Sequence, residues 1–106
     1  MRLTIEDGTL FIDNLFFCYV GVGNDRTNLQ PGAYPVATQF SHKFGKDLPN
    51  AHGLGWIGAD KECDVILGRV RHGADTLPCS GHLSRLLNLL EAAEDRGAMV
   101  ELVIHG

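Results

Sequence analysis

The reactive side chains of this sequence are its cysteines and histidines, and the three cysteines are widely spread: Cys18, Cys63 and Cys79. A cysteine attacks as the thiolate, and a free thiol with a pKa of ~8.5 is mostly protonated at neutral pH. Cys63 lies between Glu62 and Asp64, whose negative charges raise a thiol pKa. We therefore expect Cys63 to be a small residue at a strand edge with no chemical role, unless His52 or Lys61 lowers its pKa in spite of the acidic neighbours.

A second group of residues could in principle bind zinc. Cys79 and His82 have a spacing that zinc sites use, and His72 or Cys63 could supply further ligands. A structural zinc site normally has two tight ligand pairs, and this sequence has one. We therefore predict ordinary loop and helix residues here, with no metal and no cofactor. Cys18 lies in an apolar run, which predicts a core residue.

Length and charge limit the classes of protein. The chain has 106 residues, 44% of them hydrophobic, which predicts a single globular domain over residues 1–106. The net charge is −4 and the basic residues are scattered, so a nucleic acid is not expected as a partner. No apolar stretch approaches the ~18 residues needed to span a bilayer, so a membrane is not expected either. An odd number of dispersed cysteines and a start without a signal-peptide pattern predict a cytoplasmic protein.

The first third of the sequence predicts an antiparallel meander. Apolar residues alternate over 2–6 and 9–13 around an Asp-Gly turn, and a second tight turn is predicted at Asp13-Asn14. The aromatic run 15–20 that follows is typical of a strand buried on both faces. Residues 21–32 are predicted to form a loop and residues 34–40 another strand. Residues 41–55 have neither helical nor strand periodicity, which predicts a long connection of the kind where functional sites lie.

The remainder predicts two further strands, at 56–57 and 64–70, one helix and a closing strand at 99–104. Leucines recur on one helical face over about 82–96, between a Ser80 N-cap and a Gly97 C-cap residue. The sum is an α+β fold of mainly antiparallel strands, forming a twisted sheet or partly open barrel, with one amphipathic helix in the C-terminal half.

Several segments, taken in order, resemble a family of small bacterial and phage domains of unknown function whose fold is similar to that of the L,D-transpeptidases. The strongest match is Pro31-Gly32-Ala33-Tyr34-Pro35-Val36, which is similar to the family's Pro-Ala-Gly-Thr-Tyr-Pro-Val turn and strand. The other matching segments are residues 8–13, 17–18, 41–45, 48–49, 65–68 and 83–85.

The resemblance implies a cysteine nucleophile and a histidine base, in a His-x-Gly-Asn motif followed by Gly-Cys-Ile, that act on peptidoglycan peptides. Two alignments of this chain are open. One places Asp64 on the family's cysteine and Trp56 on its histidine, which leaves no reactive pair. The other inserts one residue, so that Cys63 is the nucleophile and His52 the base.

The first alignment leads us to expect a non-catalytic or degenerate relative of this family. Such a chain would act as a binding or interaction module, with Trp56 and Asp64 as binding residues and a protein or a peptidoglycan peptide as partner. The alternative is cysteine-dependent acyl transfer or hydrolysis on peptidoglycan peptides, with Cys63 as nucleophile and His52 as base.

Overall fold

A computed structural model describes residues 1–72 and 75–106, with side chains outside 69–76. The chain alternates short strands with tight turns, and one helix precedes the last strand. The elements are β1 (Arg2–Glu6), β2 (Thr9–Ile12), β3 (Leu15–Val22), β4 (Gly32–Ser41), β5 (Lys46–Ala51), β6 (Gly55–Gly58), β7 (Val65–His72), β8 (Asp75–Pro78), α1 (Ser80–Asp95) and β9 (Glu101–Ile104).

Two tight turns build the predicted meander of β1, β2 and β3. Asp7 and Gly8 have φ angles of 51° and 68°, and Asp13 and Asn14 have 48° and 69°. Two consecutive positive φ angles define the hairpin turn whose twist matches that of the flanking strands, and Asp, Asn and Gly tolerate them best. Both turns predicted from the sequence are therefore confirmed.

The strands close into a barrel of eight. The order is β3-β2-β1-β9-β4-β5-β6-β7, and antiparallel pairing of β3 with β7 joins the two ends, while β8 extends β7 outside the ring. Most pairs are antiparallel, but β9 runs parallel to β1, and β7 runs parallel to β6. The predicted β-rich α+β class is confirmed, and the barrel is closed rather than partly open.

Helix α1 begins two residues before the predicted start and ends at Asp95. Arg96 is its C-cap, and Gly97 follows with a φ of 68°, the left-handed conformation expected of a glycine just after a helix. Its N-cap is Cys79 rather than the predicted Ser80, and no side chain caps it. The predicted apolar face is confirmed, since four of its residues are buried against the barrel: Leu83, Leu86, Leu90 and Ala93. The helix has too few residues and too polar a composition to cross a membrane.

Two local expectations were wrong. Residues 41–55 contain a regular strand, β5, whose pairing with β4 over six positions outweighs its polar, proline-containing composition. The run 15–20 is not buried on both faces, because Leu15 is 73% exposed and Phe16 59% exposed. Those two residues pair only with β2, whereas pairing with β7 begins at Tyr19.

Candidate functional site

Cys63 lies in the loop of residues 59–64 that joins the parallel strands β6 and β7. Its side chain is 1% exposed, and its backbone N–H donates to the Asp60 carbonyl at 2.9 Å. The sulfur lies against Gly58, where an added Cβ would be 2.6 Å from Sγ. The residue also lines a small cavity of about 190 Å³ together with Lys46 and Ser80.

The surroundings of Cys63 favour the neutral thiol. Burial raises its pKa above the ordinary value, and this effect outweighs a hydrogen bond with the Asp60 backbone. The charges of Asp60 and Asp64 raise the pKa further, while Lys43 lowers it. The net shift is upward, which is opposite to the shift that activates a nucleophilic cysteine.

His52 lies in the turn between β5 and β6, with its side chain exposed and its backbone N–H donating to the Pro35 carbonyl at 2.8 Å. The Cys63 sulfur lies at the other end of β6, against Gly58. Gly55 and Gly58 are separated by roughly 10 Å at ~3.3 Å per strand residue. No hydrogen bond joins the two side chains, so their catalytic pairing stays a prediction.

Asp64 is a buried carboxylate, 5% exposed, with three donors around it. Arg26 Nε donates to Oδ1 at 2.8 Å and Asn24 Nδ2 donates to the same oxygen at 3.1 Å. The Trp56 backbone N–H donates to Oδ2 at 2.9 Å. That oxygen occupies the space that a side chain would fill at Gly55, so a glycine there makes room for the carboxylate.

The donors decide the charge of Asp64. Burial alone would raise its pKa, but hydrogen bonds from Asn24, Trp56 and Arg26, together with the Arg26 charge, bring the pKa below the ordinary value. The Arg26 guanidinium is itself held, because Nη2 donates to the Leu54 carbonyl at 2.8 Å. Asp64 is therefore an ionised anchor that ties the loop after β3 to β6 and β7.

Trp56 belongs to the same arrangement through its backbone. Its carbonyl accepts from the Asp64 N–H at 2.9 Å, and its partly buried side chain packs against the core. The structure therefore brings Trp56 and Asp64 into contact, and their proposed binding role stays a prediction. Asn24 and Arg26 were not predicted as partners of Asp64, since both lie in a loop without periodicity and about forty residues away from it in the sequence.

The candidate zinc ligands Cys79 and His82 do not form a ligand set with a third described residue. The His82 ring lies 5.7 Å from the Phe17 ring between centroids, and Cys79 is partly buried at the start of α1. The His72 side chain lies outside the described residues. Within the described part of the chain, no three His, Cys, Asp or Glu side chains are placed to hold a metal.

Cys18 is 1% exposed, which confirms the predicted core position, and burial raises its pKa to about 11.

Comparison with models of protein families, with curated proteins and with solved structures finds no match for this chain. The resemblance to L,D-transpeptidase-like domains therefore stays a prediction.

Proposed function

We propose that this chain is a non-catalytic binding domain, a degenerate relative of the L,D-transpeptidase-like domains of bacteria and phages that it resembles. The observation that carries the proposal is the use of Asp64, which one alignment places on the family's nucleophile. Its carboxylate is buried and held by Arg26, Asn24 and the Trp56 backbone, so it ties the fold together internally. Cys63 beside it is a buried thiol with a raised pKa.

The second candidate is cysteine-dependent acyl transfer or hydrolysis on peptidoglycan peptides. It is favoured by the small cavity beside Cys63, whose lining also includes the polar side chains of Lys46 and Ser80. In that reaction the Cys63 thiolate attacks a peptide carbonyl and an amine leaves. Water or a second amine then breaks the thioester, with His52 as the base.

Alkylation of individual cysteines separates the two candidates. We expect iodoacetamide to modify Cys63 more slowly than Cys79 at every pH, because Cys63 is buried with a raised pKa whereas Cys79 is partly exposed. Mass spectrometry of the digested protein after timed alkylation between pH 6 and 9 measures each site separately. Rapid modification of Cys63 below pH 7 would overturn the proposal.

A turnover assay provides the matching control. Incubation with a soluble peptidoglycan tetrapeptide should leave the masses of both peptide and protein unchanged, and Cys63→Ala should behave as the unaltered protein does. A thioester adduct on Cys63, or a product that disappears in Cys63→Ala, would favour the enzyme.

A further inference from the structure

The loop between β3 and β4 spans one end of the barrel. Strands β3 and β4 lie on opposite sides of the ring, with β2, β1 and β9 between them along one path and β5, β6 and β7 along the other. Residues 23–31 join the end of β3 to the start of β4, so they must reach from one side of this barrel end to the other. We call residues 23–31 the strap.

A cavity lies under the strap. Strands β1, β3 and β9 finish at this end, because β9 runs parallel to β1 and β2 is antiparallel to both β1 and β3. Strap residues 26–29 and these strand ends enclose about 440 Å³. The floor is apolar, since Ile5, Val20 and Ile104 line it and are each 4–5% exposed. The strap therefore separates this floor from the solvent beyond it.

One group of contacts, which we call the clasp, fastens the first half of the strap. The Asn24 N–H donates to the Lys61 carbonyl at 2.9 Å. The side chains of Asn24 and Arg26 both donate to the carboxylate of Asp64, which is 5% exposed. Arg26 Nη2 also donates to the Leu54 carbonyl at 2.8 Å. The acceptors lie just before and just after β6, so the clasp holds the strap to one side of the barrel end.

The second half of the strap has fewer contacts to hold it. Leu29 is partly buried against the core, whereas residues 27 and 28 are exposed. The Tyr34 hydroxyl donates to the Gln30 carbonyl at 2.8 Å, but this bond is local, because β4 begins two residues after Gln30. Segments with few buried contacts open at a lower free energy than the whole domain unfolds. The clasp therefore decides whether the strap stays on the barrel.

We propose that the strap opens as a unit while the barrel stays folded, and that the Asp64 clasp holds it closed. The barrel keeps its strand pairs when the strap lifts, because no strap residue takes part in the described pairs that close the ring. Opening uncovers the apolar floor formed by Ile5, Val20 and Ile104. The proposal goes beyond the binding function proposed above and does not depend on it.

Trypsin cleavage after Arg26 tests the opening, because the protease must take up the guanidinium that the clasp holds. Cleavage after Arg85, inside α1, requires the helix to unfold instead. We expect the unaltered protein under native conditions to be cut faster after Arg26 than after Arg85, as timed digests analysed by mass spectrometry would show. Equal rates at the two sites would overturn the proposal.

Two variants test the clasp. Asp64→Asn should accelerate cleavage after Arg26 at least about tenfold, as expected from the loss of one hydrogen bond to a charged group. Arg26→Lys keeps the charge and a trypsin site but loses the planar, two-point contact, so it should accelerate cleavage by a smaller factor. Cleavage as slow in both variants as in the unaltered protein would overturn the role of the clasp.

Leu90→Val is the control for general loss of stability. It trims a fully buried side chain of α1 and leaves the clasp unaltered. The folded protein with a closed strap and the one with an open strap lose the same contacts, so cleavage after Arg85 should rise severalfold while cleavage after Arg26 stays the same. An equal rise at both sites would mean that the strap leaves only when the whole domain unfolds.

Hydrogen exchange in dilute urea gives an independent measurement. Urea accelerates exchange in proportion to the surface that opening exposes, so between 0 and about 1 M urea the Asn24 N–H should change little. The Val20 N–H, which donates to the Gly8 carbonyl at 2.9 Å in the barrel beneath the strap, should exchange markedly faster. The same urea dependence at both groups would overturn the proposal, because the strap and the barrel would then open together.

Discussion

Replacing Asp64 with alanine should destabilise the protein by about 3 kcal/mol, the lower end of the cost of breaking a buried ion pair. The variant leaves the Arg26 and Asn24 side chains and the Trp56 backbone N–H without their acceptor. The side chain of Arg26 is 34% exposed and regains some hydration, which keeps the cost from the upper end of that range.

Urea unfolding measures this effect. The single tryptophan, Trp56, is hydrogen-bonded to Asp64 and provides a local fluorescence signal, while circular dichroism follows the whole fold. Asp95→Ala, which removes an exposed carboxylate at the end of α1, should change the free energy of unfolding by less than about 0.5 kcal/mol. An Asp64→Ala variant as stable as Asp95→Ala would show that the anchor contributes nothing.

The same carboxylate makes stability depend on pH in a defined direction. The pKa of Asp64 is lower in the folded than in the unfolded chain, where it is about 3.9. Its contribution is therefore complete above the unfolded pKa and is lost as the pH falls through the folded pKa. Between pH 6 and pH 3, the free energy of unfolding of Asp64→Asn should therefore fall less than that of the unaltered protein. An equal fall in both proteins, measured by urea unfolding at each pH, would contradict this.

Local signals explain why much of the fold was predictable. Both hairpin turns are set by neighbouring residues that tolerate positive φ, and the face of α1 is set by leucines at helical spacing. Strand β5 was missed because its support comes from β4 and β6 and not from its own alternation. Its residues Leu48, Pro49 and Ala51 are all buried, including neighbours on opposite faces, so no period of two is visible.

The candidate site was less predictable because it depends on contacts between distant residues. Cys63 and Asp64 stood out by residue type, but nothing near them in the sequence identifies the partners of the carboxylate. Asn24 and Arg26 are 40 and 38 residues away from Asp64.

Replacing Gly23 with alanine should destabilise the protein by about 2–3 kcal/mol, near the upper end of the usual cost of over-packing. Gly23 donates its N–H to the Asp64 carbonyl at 3.2 Å, and the loop after β3 lies directly on the loop of residues 59–64. An added Cβ would overlap the backbone carbonyl oxygens of Lys61 and Cys63. Because both are backbone atoms, no side-chain rotation relieves the clash.

The cost at Gly23 arises from contact and not from backbone conformation, since Gly23 is not among the residues with positive φ. Gly81→Ala is the matched control. Its Cβ would meet only the Cys79 sulfur at 3.7 Å, and alanine in a helix should leave stability unchanged or raise it by up to about 1 kcal/mol. A Gly23→Ala variant as stable as Gly81→Ala would show that the two loops do not need their close approach.

A double variant tests whether the two effects share one cause. Pushing the loop after β3 outward carries Asn24 and Arg26 away from Asp64, so Gly23→Ala removes part of what Asp64→Ala removes. The combined loss should therefore be smaller than the sum of the single losses, measured by the same urea unfolding. Strict additivity would mean that the Gly23 contact and the Asp64 anchor stabilise the barrel independently.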